Sequence, residues 1–105
     1  MKFVETTIFT AQITALLNED EYKALQMALI LPPEQGARIR GSCGLRKMRW
    51  QAKGSGKRSG IRVIYYWYRP DETFVMLFTY EKNVQDDLTP DQLKVLARVI
   101  GEEFP

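Results

Sequence analysis

A single α+β domain is what this sequence predicts, in the order β-α-α-β-β-β-α, with a mostly antiparallel sheet and helices packed on one face. Three observations carry the prediction. Residues 61–69 and 73–80 are long runs of β-branched and aromatic residues meeting at Pro70-Asp71, which reads as a hairpin. Two helical stretches precede them, and a helix with both a start and a stop signal follows. At 105 residues and 45% hydrophobic, the chain can bury one core of its own and is too apolar for a disordered tail. Residues 1–105 are therefore read as one domain, without repeats.

Each element has its own local reason. Residues 2–9 (KFVETTIF) are rich in β-formers and read as a strand, and residues 10–17 as a short helix. Asn18, with Glu21 three residues later, is an N-cap with a capping-box partner, and Tyr22, Leu25, Ala28 and Leu29 then recur at helical spacing. Pro32-Pro33 ends that helix. Residues 34–44, broken by Gly36, Gly41 and Gly44, read as a loop, and residues 45–50 as a strand. The Gly- and Ser-rich residues 51–60 are expected to form an exposed, mobile linker. The strands 61–69 and 73–80 lack a polar face, which suggests a central pair covered by helices on one side. The last helix starts at Thr89, with Pro90 in its first turn, Gln92 as capping-box partner, a stripe of Leu93, Leu96, Ala97 and Ile100, and Gly101 as its stop.

Charge is distributed unevenly over this framework. Between Gln35 and Pro70 lie ten basic residues (Arg38, Arg40, Arg46, Lys47, Arg49, Lys53, Lys57, Arg58, Arg62 and Arg69) and no Asp or Glu. The net charge of +2 thus divides into +10 in the middle and −8 in the flanks. Clustered like charge repels itself in a folded protein, so it points to an anionic partner. A nucleic acid fits, because each Lys or Arg set on a phosphate releases a condensed counterion. No histidine and a single cysteine, Cys43, leave no zinc site of the usual kind, no internal disulfide and no imidazole acid–base. No metal or cofactor is called for. The absence of a long apolar stretch argues against a signal peptide or membrane span, and a cytoplasmic protein is expected.

Within the basic middle, alternation on a strand sends Lys47 and Arg49 to one face and Arg46, Met48 and Trp50 to the other. Two cations side by side suggest a phosphate seat, where the plain alternative is a solvated strand face. Arg62 opens an apolar strand, and its planar fork suits phosphate oxygens. Lys82 beside Glu81 is weaker in isolation, since such neighbours are commonly surface ion pairs. Residues 53–60 (KGSGKRSG) miss the P-loop spacing, and Arg58 stands where the magnesium-binding hydroxyl would be. Lys53, Lys57 and Arg58, with Arg46, read instead as RNA-binding cations. Tyr80 and Trp50 suit either base stacking or core packing, and the Tyr65–Tyr68 run is at least half explained by a buried strand.

Taken together, residues 44–50 (GLRKMRW), 60–66 (GIRVIYY), 77–83 (LFTYEKN) and 88–93 (LTPDQL) resemble the RelE/ParE toxin superfamily, most nearly its HigB-type branch. The resemblance spans nearly the whole chain. It implies a RelE-like fold and a metal-independent, ribosome-dependent endoribonuclease that cuts mRNA in the ribosomal A site and halts translation. It also implies a cognate antitoxin with a helix-turn-helix domain. Lys47, Arg49, Arg62 and Lys82 fall at the family's catalytic basic positions. Leu88 stands where RelE has a tyrosine, so either Tyr80 partly substitutes for it or no stacking tyrosine is needed. Arg49 and Arg62 would stabilise the phosphorane, and Lys47 or Lys82 would carry proton transfer. The alternatives are a ParE-like poison of DNA gyrase and a nucleic-acid-binding module without catalysis.

Overall fold

The computed structural model describes residues 1–51 and 60–104. Strand β1 (Lys2–Glu5) leads into helix α1 (Thr7–Leu16) and helix α2 (Glu19–Ile30). Strands β2 (Ala37–Arg38), β3 (Arg46–Trp50), β4 (Ile61–Tyr68) and β5 (Thr73–Glu81) follow, and helix α3 (Pro90–Glu103) closes the chain. The five strands form one sheet in the order β1-β5-β4-β3-β2. Only β1 runs parallel to its neighbour; the other pairs are antiparallel.

The α+β class and the element order stand as expected, with differences that have local causes. The first strand stops at Glu5 because Thr6 caps α1, its side chain accepting the Phe9 N–H at 3.0 Å and donating to the Leu77 carbonyl at 2.9 Å. The expected loop 34–44 contains a two-residue strand, β2, paired to β3 through Ala37–Lys47 and Arg38–Arg46. The 61–80 hairpin turns through a short 3₁₀ segment, Arg69–Asp71, with Glu72 left-handed at φ 47°. Gly101 does not stop the last helix. It runs on to Glu103, and the ring of Phe104 then packs on Tyr66 and Tyr68 at centroid distances of 5.5 and 4.8 Å.

The expectation that the helices share one face is corrected. Phe9, Ile13, Leu17, Leu25 and Leu29 of the first two helices and their termini pack against Val63, Tyr65, Phe74 and Met76. Leu96 and Ile100 of α3 pack with Leu45, Ile64, Val75 and Leu77, which belong to the opposite face. A strand apolar at every position needs cover on both sides, so the missing polar face of β4 and β5 signals a sheet sandwiched between helices. Among the described residues, no helix is long and apolar enough to cross a membrane.

A bulge decides what β5 presents. Ile64 pairs with Phe78 and Tyr65 with Met76, leaving Leu77 as the extra residue. Strict alternation would put Tyr80 on the side of Phe74 and Met76. The inserted residue moves Phe78 and Tyr80 to the α3 side, and Tyr80 pairs with Arg62.

Candidate functional site

Next to the part of the sheet that α3 covers lies a polar cleft of about 560 Å³. Lys47, Arg49, Arg62, Lys82, Asp86 and Asp87 line it, with residues 35–37 at its edge. All four cations singled out in the sequence therefore come together. Lys47 and Arg49 arrive by strand alternation on β3. Arg62 arrives by register, directly opposite Arg49 on one side and Tyr80 on the other. Lys82 follows β5 and is fixed by its N–H donating to the Gly60 carbonyl at 3.1 Å.

Two arginines facing each other across adjacent strands are unfavourable unless an anion lies between them. Neither Arg49 nor Arg62 has a carboxylate within ion-pair distance among the described residues. Among the described residues, the Arg62 guanidinium has a weak contact, Nη1 to the Ile61 carbonyl at 3.4 Å. Two planar guanidinium forks set side by side have the donor geometry to take an anion between them.

The lysines are not free in the same way. Lys47 Nζ reaches Asp87 Oδ1 at 3.1 Å, and Lys82 Nζ pairs with Asp86. The plain alternative for Lys82 is a surface ion pair of the kind its neighbour Glu81 suggests; the carboxylate it meets is that of Asp86, on the loop that folds back. The hydrogen bond from Lys82 holds the Asp86 carboxyl below the ordinary range, and the bond from Lys47 does the same for Asp87, helped by the Leu88 N–H. Four cations less two carboxylates leave the cleft with a formal charge of +2, carried by the two arginines.

Tyr80 is only 6% exposed, and its hydroxyl lies 3.5 Å from Asp87 Oδ1. Burial, followed by the charge of Asp87, pushes its pKa up to about 12 against the opposing pull of Arg62. It is a protonated donor at neutral pH, wedged into the α3 core rather than offered flat to a base.

Arg46 is placed elsewhere. Its side chain is 18% exposed, bonds the carbonyls of Glu34 and Gly36 at 3.0 and 2.9 Å, and pairs with Glu34 at 3.3 Å. It braces the segment entering β2, on the face away from the cleft. The aromatic run is also committed to packing. Tyr65 is buried, accepting from the Gly36 N–H at 2.9 Å and donating to the Pro33 carbonyl at 2.8 Å. Trp67 packs against Phe74 with its ring tilted by 43° at 4.6 Å. Lys53, Lys57 and Arg58 lie outside the described residues. What sequence reasoning missed is the Asp86-Asp87 pair. Its signal was the i,i+4 spacing of Lys82 and Asp86, which brings the two charges together when the chain turns.

A larger recess, about 600 Å³ between the start of α1, β5 and α3, is lined mainly by apolar groups such as Ile8, Phe78, Val95 and Val99. Asp91 is its one ionisable side chain, whereas the basic cleft gathers six.

No family model matches the sequence. The structure matches that of a double arginine-to-alanine mutant of the toxin RelE from E. coli in the free state, with a TM-score of 0.59 over 92% of this chain and 93% of that one. The fold is that of RelE. Sequence identity over the match is 12%, so the likeness speaks for architecture. The RelE-like fold expected from the four sequence segments is the one the chain adopts. Within it, the basic cleft occupies the part of the sheet where β3, β4 and the end of β5 meet.

Proposed function

We propose that the protein is a metal-independent endoribonuclease toxin that cuts mRNA in the ribosomal A site and stops translation. The observation that carries this reading is the cross-strand Arg49–Arg62 pair, which faces an open cleft and has no carboxylate partner among the described residues. A scissile phosphate seated there would receive both guanidinium forks.

In the reaction, the ribose 2′-oxygen forms a bond to the adjacent phosphorus while the bond to the 5′-oxygen breaks. The 2′-hydroxyl gives its proton to the carboxylate of Asp86 or Asp87, and the ammonium of Lys47 or Lys82 gives one to the departing 5′-oxygen. Arg49 and Arg62 stabilise the charge that builds on the phosphorane, an effect that exceeds their grip on the ground state. Lys47 and Lys82 release Asp87 and Asp86 as the phosphate enters, and then touch its oxygens or the leaving group. Tyr80 is neutral and holds Asp87 beside the cleft, so it serves as a positioning residue.

Partners follow from the same chemistry. The ribosome would align the mRNA, and basic residues outside the cleft would meet ribosomal RNA. A cognate antitoxin with a helix-turn-helix domain would silence the enzyme. Because Asp86 and Asp87 already sit on the two lysines, an acidic antitoxin segment has a pattern to follow there.

The test is the chemistry of the product ends together with the physiology of expression. The proposal expects a 2′,3′-cyclic phosphate on the upstream fragment and a rapid halt in protein synthesis. A 3′-hydroxyl end would overturn the mechanism. DNA damage with translation intact would move the function to gyrase.

A further inference from the structure

A second arginine cluster lies at the far end of the sheet and is not used by the cleft. Arg38 sits on edge strand β2, Arg40 just beyond it, and Arg69 in the turn after β4. All three are exposed, and none has an ion-pair partner among the described residues. Arg38 and Arg69 share a polar recess of about 190 Å³ with Gly44, Tyr66 and Trp67. The carboxylate that reaches this recess, Glu34, is taken by Arg46.

The recess has a definite shape. Gly44 has φ 101°, and a Cβ there would lie 3.2 Å from the Tyr66 ring and 3.8 Å from Arg38 Nη2. The glycine thus lets the arginine lie close to the face of the strand. Behind Tyr66, Phe104 fixes the ring at 5.5 Å.

Two unpaired cation sites now occupy one sheet. From Arg62 to Trp67 is five residues of β4, roughly 17 Å at about 3.3 Å per residue. A single small anion cannot span that distance. The sites are nevertheless joined along the sheet edge, because consecutive residues of β2 serve both: Ala37 lines the cleft and Arg38 the recess.

We infer that the Arg38–Arg69 recess is a second phosphate seat, which holds the backbone of the same single-stranded RNA several nucleotides from the bond being cut. This rests on the nuclease reading of the cleft. It goes further by fixing a path for the strand, along β2 from the Arg49–Arg62 pair to Arg38 and Arg69, with Arg40 flanking it. Length of RNA, and not base identity, is what this seat reads.

The experiment is fluorescence anisotropy on the full chain, with a labelled 2′-O-methyl RNA dodecamer and a trimer as probes, across a salt series from about 50 to 200 mM. The double variant Arg38→Gln/Arg69→Gln should bind the dodecamer about tenfold more weakly. Its log–log salt slope should be shallower by about 1.4, the value for two lost contacts to single-stranded RNA at ~0.7 each. Binding of the trimer should not change, and Arg38→Lys/Arg69→Lys should restore most of the slope. Equal dodecamer affinity and slope in parent and double variant would overturn the second seat alone. A parent that binds neither probe would also overturn the seat, whereas the nuclease reading is overturned only by absence of cleavage with translating ribosomes.

Discussion

At Arg49 and Arg62 the proposed function and stability pull apart. Placed opposite one another without an anion, they repel, and cross-strand contacts of this kind are worth roughly 0.2–1 kcal/mol. Replacing Arg62 by Ala should therefore leave thermal stability unchanged or slightly raised. RNA cleavage, by contrast, should fall by about 10²–10³-fold, the usual cost of one donor to a developing anion. A melting curve alongside a cleavage assay checks both halves, and a destabilised Arg62→Ala protein would mean that the arginine is structural. Tyr65 shows the opposite balance. Its hydroxyl serves the buried Gly36 N–H and the Pro33 carbonyl, so Tyr65→Phe strands both groups. Unfolding in urea should show a loss of about 1–3 kcal/mol, which ties the segment entering β2 to the core.

Among the elements, α3 does two jobs. Its apolar stripe covers one face of the sheet, and its N-terminus anchors the loop that carries Asp86 and Asp87. Thr89 accepts the Gln92 N–H at 3.1 Å, and Gln92 Oε1 accepts the Thr89 N–H at 3.0 Å. Gln92 Oε1 also receives a bond from Gln85 at 2.6 Å, which fastens the loop to the helix. Thr89→Ala should cost about 1 kcal/mol in denaturant unfolding and loosen the carboxylates over Lys47 and Lys82. An unchanged midpoint would show that the cap contributes nothing. Both capping boxes were legible in the sequence because three-residue spacing is a local property. The Thr6 cap lay inside a run of β-formers, and β2 is too short to leave a pattern. The bulge at Leu77 was hidden for a different reason: pairing register depends on a second strand, and only the register shows that Tyr80 faces Arg62.

For the whole molecule, the charge asymmetry seen in the sequence becomes a balance in space. Asp86 and Asp87 return from the acidic flank and neutralise the two lysines, so the arginines alone keep the cleft positive. Strand alternation was enough to place Lys47 and Arg49 on one face. The meeting of Lys82 with the acidic loop depends on tertiary folding and left only the faint Lys82–Asp86 spacing. Three tyrosines set the alkaline limit of the fold. Burial raises the pKa of Tyr22, Tyr65 and Tyr80 above the ordinary 10.0, with the Glu5 hydrogen bond adding to the rise at Tyr22. A folded pKa above the unfolded one means stability that is fully present below pH 10 and is lost as the pH rises beyond it. Tyr80's share of that loss should end near pH 12. Denaturation across an alkaline series should show the decline, and Tyr80→Phe should make it shallower. Equal unfolding free energies at about pH 9 and pH 11 would contradict the burial of these phenols.

The central claim is that the Arg49–Arg62 face cuts RNA with the ribosome's help, and primer extension on a reporter mRNA tests it most directly. Purified protein should produce new 3′ ends only when translating ribosomes are present, and Arg62→Ala should lower their yield by about 10²–10³-fold. No cleavage with or without ribosomes, from folded protein that still arrests growth, would contradict the account.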